Sequence, residues 1–97
     1  MNVASYLMEA IDETLQLLGK QACIMVYEYL EKNSGLKKEQ IPARPGAFLM
    51  GLSNLFGTGS KHLEQNIVKR LYQKLGISVE STENLSLKSM YVQLQHR

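Results

Sequence analysis

The sequence predicts an all-α protein: a compact bundle of four main helices plus a short C-terminal amphipathic helix. Three observations carry this reading. Apolar residues recur at three- and four-residue spacings in successive segments. Glycine, Asn-Ser-Gly or proline punctuates those segments. The one run that composition would allow as a buried strand, "CIMVY" at 23–27, is flanked by helix formers that extend its pattern past ten residues.

The first helix is expected from about Asn2 to Leu18. Ala4, Leu7, Ile11, Leu15 and Leu18 form one stripe along it. Glu9, Asp12 and Glu13 lie off that stripe and read as a solvated face. Gly19 is the expected left-handed cap.

The second helix follows to about Lys32, and "NSG" at 33–35 stops it. Ala22 to Tyr27 are apolar all round the wheel, which predicts a central helix with neighbours on several sides. In "LKKEQIPARPG" the two prolines forbid regular structure beyond one helical turn before Pro42. Pro45 suits the first position of a third helix, running to about Phe56. Phe48, Leu52 and Leu55 should form its buried face, with Leu49 and Phe56 beside them.

The fourth helix is expected from about Ser60 to Leu75, closed by Gly76. Leu63, Ile67, Leu71 and Leu75 recur every four residues, with Val68 and Tyr72 alongside. Residues 1–76 thus read as a helical bundle domain. Residues 77–97 read as a polar linker and an amphipathic helix with Leu87, Met90, Tyr91 and Leu94 on one side. A helix of about a dozen residues is marginal alone in water, so it needs a surface to lie on, in its own bundle or in another chain.

The 97 residues make one domain, with 44% hydrophobic and 21% charged residues. The single cysteine, Cys23, allows no internal disulfide and fits a reducing cytoplasm. No apolar run suits a membrane span, and the N-terminus lacks the pattern of a signal peptide. Net charge is only +2, but unevenly spread. Residues 1–18 carry three acids and no base, whereas residues 45–76 carry Lys61, Lys69, Arg70 and Lys74 against Glu64. Such asymmetry steers a partner, pairs two helices of one fold, or marks ordinary solvated faces.

"LFGTGSKHLE" at 55–64 invites comparison with phosphate-binding loops. A Walker A loop requires Lys directly after its last Gly, between a strand and a helix. Here Ser60 intervenes and the preceding segment is helical. The Rossmann spacing fails too, because Gly59 is followed three residues later by His62. The turn reading accounts for every residue: Gly57 closes helix three, Thr58 and Ser60 are N-cap candidates, and Gly59 permits close helix approach. An anion on the first N–H groups of helix four, near Lys61, is the alternative.

Other chemistry is poorly signalled. Cys23, His62 and His96 are far apart for a metal site, and Cys23 reads as core. No metal or cofactor is expected. Glu9, Asp12 and Glu13 share a face, but no Glu-x-x-His accompanies them as a di-iron bundle requires. No nucleophile has a histidine signalled nearby. No enzyme activity is expected. Nucleic-acid binding is the sharper alternative, through Lys61, Lys69, Arg70 and Lys74 on helix four. Against it stand a pI near 8.7 and a turn that reads longer than that of a helix-turn-helix.

"LEKNSGLKKEQIPARPGAF" followed by "LFGTGSKHLEQNIVKRLYQKLG" resembles a small archaeal helical domain family of unknown biochemical function. It is described as an output domain of signal-transduction proteins (Nitrosopumilus-output-domain-like). The matching positions are Leu30-Glu31, Gly35, Ile41-Pro42, Pro45 and Phe48. Further matches are Phe56-Gly57, Gly59-Ser60, Leu63-Glu64, Ile67 and Lys69 to Tyr72. These are packing and turn positions, so the resemblance implies an all-helical fold and a place in signalling rather than a reaction.

The expectation is therefore a cytoplasmic protein–protein interaction module, self-associating as a homodimer. Its partner surface would comprise Tyr6 and Met8 on helix one and Leu87, Met90, Tyr91 and Leu94 on the last helix. Apolar area would be buried there within a charged rim.

Overall fold

A computed structural model of the chain describes residues 3–76 and Leu87. Four α-helices and one 3-10 helix make up the described elements: α1 (Val3–Gln16), α2 (Lys20–Ser34), the 3-10 helix (Lys38–Ala43), α3 (Pro45–Phe56) and α4 (Gly59–Leu75). The all-α architecture is thus as the periodicity predicts. The expected C-terminal helix lies outside the described residues, except for Leu87.

α1 packs against α4 and α2, and α3 against α4 and α2, while the 3-10 helix touches α1 and α3. The core between them holds Leu7, Ile11 and Leu15 from α1, with Val26 and Leu30 from α2. Phe48 and Leu52 come from α3, and Ile67, Val68 and Leu71 from α4. Leu36 and Ile41, from the connection between α2 and α3, are buried in the same core. Each such side chain contributes roughly 1.5–3 kcal/mol of transfer free energy, which is what holds four marginal helices together. Pro45 takes the first position of α3, where its missing N–H costs nothing.

Several expectations are corrected. Leu18 is not on the core stripe: α1 ends at Gln16, and Leu17 and Leu18 sit in an exposed turn. Gly19 does not close α1 in the left-handed helical conformation. It caps the start of α2 at φ 106°, ψ 152°, a backbone region that side chains with a Cβ rarely enter. α2 is not central: Cys23, Val26 and Leu30 face the core, while Ile24 and Met25 face solvent. Thr58 is the N-cap of α4 but makes no side-chain capping bond. The close helix approach occurs at Gly51, where an added Cβ would run into the Leu30 side chain, whereas at Gly59 it would meet only an ordinary contact.

Candidate functional site

Two surfaces merit description: a polar seam along α1 and an apolar corner where α1 turns into α2. The seam begins at Thr14, which is fully buried and donates its hydroxyl to Asn66 Oδ1 at 3.4 Å. The Arg70 Nε–H donates to the same oxygen at 2.7 Å. Arg70 also pairs with Glu13 at 3.2 Å, and Lys74 reaches Glu13 at 2.6 Å and Glu9 at 3.8 Å. The Lys74 hydrogen bond, helped by Arg70, holds the Glu13 carboxyl below its ordinary pKa, and Glu13 in turn raises that of Lys74.

Glu9 and Glu13 stay exposed and Asp12 is half-buried, so the α1 acids form a largely solvated face, and the seam adds partners on α4 to it. The seam resolves the charge asymmetry as attraction between two helices of one fold. Arg70 and Lys74, two of the four candidate nucleic-acid contacts, are spent on it. Lys61 and Lys69 are exposed, and neither joins an ion pair among the described residues.

Asp12 works on the other side of α1. It accepts a hydrogen bond from the Tyr27 hydroxyl and pairs with Lys38 at 3.3 Å. The Lys38 ammonium also lies 4.9 Å from the centre of the Tyr27 ring. Three elements are thereby clasped together. Burial, and then the Asp12 hydrogen bond and charge, push the Tyr27 hydroxyl well above its ordinary pKa.

Beside the clasp, α2 and the 3-10 helix frame an open groove of about 450 Å³, lined by Ile24, Tyr27, Glu28, Glu31, Lys37, Lys38 and Glu39. Its charges are mixed in sign. Cys23 is buried nearby, and desolvation raises its thiol pKa, which disfavours the reactive thiolate.

The turn between α3 and α4 is only two residues, Gly57 and Thr58, so it is shorter than a helix-turn-helix turn and not longer as expected. Gly57 has φ 57° but ψ −130°, so it is not the expected left-handed helical cap. The N–H groups of Ser60 and Lys61 donate to the carbonyls of Gly57 and Thr58 at 3.1 and 3.3 Å. Two donors that an anion would need are thus used within the turn. Among the described residues, no three His, Cys, Asp or Glu side chains form a metal-binding group. No helix among them is long and apolar enough to cross a membrane.

The residues expected at a partner surface are distributed differently. Tyr6 and Met8 are half-buried and pack against the core. Leu87 belongs to that core, fully buried, with its N–H donating to Glu64 Oε2 at 2.8 Å. Its side chain is thus buried within its own chain. Met90, Tyr91 and Leu94 lie outside the described residues, as does His96.

Among the described residues, the large apolar side chains left exposed are ones the sequence places in the core or leaves unassigned. Leu17 is 64% exposed, Leu18 42%, Ile24 42% and Met25 65%. All four fall within nine consecutive positions at the α1–α2 corner. Met50, on α3, is 68% exposed. The available signal was the all-round apolar character of Ala22–Tyr27, which a second chain accounts for as well as a central position does. Comparison with protein-family models, with curated proteins and with solved structures gives no match.

Proposed function

We propose that the protein is a non-enzymatic association module, working by burial of its α1–α2 corner against another protein, foremost a second copy of itself. The observation that carries this is the exposure of Leu17, Leu18, Ile24 and Met25, four large apolar side chains within nine positions at the α1–α2 corner. Contiguous exposed apolar groups rimmed by polar ones mark interaction sites more often than chance. Their burial supplies the driving force, and the charges around them set orientation. The resemblance to archaeal output domains would place such a module in signalling, in the cytoplasm, where Cys23 stays reduced.

Sedimentation of the full chain over a range of concentrations tests the reading. A dimer whose population rises with concentration is expected, and Met25→Lys should make it monomeric. A wild-type chain that stays monomeric would overturn self-association.

Nucleic-acid binding is the second reading. Its specific support is that Lys61 and Lys69 project from α4 without ion pairs among the described residues.

A further inference from the structure

Two ridges of side chains, each with four-residue spacing, run along the outer side of α2. One is Lys20, Ile24, Glu28 and Lys32; the other is Gln21, Met25, Tyr29 and Asn33. Apart from half-buried Tyr29, these side chains are exposed. On the first ridge the apolar residue is central, with a cation four residues before it and an anion four residues after. Neither Lys20 nor Glu28 joins an ion pair among the described residues.

Lys20 is also poorly placed within its own chain. It occupies the first turn of α2, which contains no acidic residue. That end of a helix carries partial positive charge, so the ammonium is repelled there and a nearby carboxylate would relieve it.

We infer that two copies of this chain pair through α2, antiparallel, about a two-fold axis beside Ile24. The inference rests on the self-association reading above and gives it a geometry. In such a pair a residue n positions before Ile24 faces one n positions after it in the partner. Lys20 of each copy then faces Glu28 of the other, forming two ion pairs on either side of the apolar centre. A parallel pair would instead set Lys20 against Lys20 and Glu28 against Glu28, which is repulsive. The antiparallel arrangement is self-complementary, as a two-fold interface must be.

Four apolar side chains per copy form a small patch beside the roughly 800 Å² per partner of a standard interface. The dimer is accordingly concentration-dependent.

A charge-exchange cycle, read by sedimentation equilibrium, tests the geometry on the full chain. Lys20→Glu alone and Glu28→Lys alone should each weaken dimerisation by about tenfold at low salt, because each turns two attractive pairs repulsive. The double variant should recover wild-type affinity to within about threefold. Unchanged helicity by circular dichroism verifies that each variant folds. Dimers of equal strength in all four proteins would overturn the α2 geometry while leaving self-association standing. A monomeric wild-type chain would overturn both.

Discussion

The Leu30 side chain fills the space that a β-carbon on Gly51 would need. This contact sets how closely α2 approaches α3, and so where the outer side of α2 stands. Both residues are buried, so neither can move aside into solvent. Gly51→Ala therefore opposes two effects. Helix propensity favours alanine by about 1 kcal/mol, while overpacking a filled core costs about 1–3 kcal/mol. The net result should be a loss of about 1 kcal/mol in urea unfolding. A variant as stable as wild type would show that α2 and α3 are not held this closely.

The α1–α4 seam predicts acid sensitivity. The folded-state pKa of Glu13 is depressed, chiefly by the Lys74 hydrogen bond. Its contribution is therefore present above the unfolded value near 4.5 and is lost as pH falls through the lower folded value. Glu13 is partly exposed, so solvent screening keeps the effect below about 1 kcal/mol. Glu13→Gln should remove this part of the acid-dependent loss of stability below about pH 5. Parallel wild-type and variant pH–stability curves would contradict the seam.

Tyr27 predicts the opposite limb. Its folded pKa lies above the ordinary value of 10, so this contribution is complete below pH 10 and declines only in stronger alkali. Phenolate absorbance from Tyr27 should therefore emerge together with unfolding rather than before it. Tyr27→Phe leaves Asp12 with Lys38 alone and should cost about 1 kcal/mol. A native-state titration of all five tyrosines near pH 10 would contradict the clasp.

Lys61→Glu/Lys69→Glu tests the nucleic-acid reading. If α4 does not serve nucleic acid, the variant should keep the dimerisation constant, and the wild-type protein should elute from heparin at low salt. Strong salt-sensitive retention that the variant abolishes would favour α4 as a nucleic-acid surface instead.

Local rules made much of the fold legible. Pro45 and the Gly57 turn bracket α3, and the four-residue rhythm from Leu63 to Leu75 marks α4. Relations between distant residues were less legible. The partners of exposed Glu13 are not legible locally, because the cations that pair with it come 57 and 61 positions later. Ile24 and Met25 read as core because periodicity records how apolar a face is, not whether the chain itself covers it. Leu87 presented the converse problem: its stripe suggested a partner surface, yet the chain's own core receives it. The acidic and basic helices were seen, but only packing could show that they neutralise each other.

The most direct test of the central claim, that a second copy covers the outer side of α2, compares two methionines within one sample. Met25 and Met50 are similarly exposed in the single chain, at 65% and 68%. Peroxide oxidation of each, followed by peptide mass spectrometry, should proceed at similar rates in dilute protein. As concentration rises into the dimer range, Met25 should become protected and Met50 should not. Equal oxidation of both at every concentration would contradict the account.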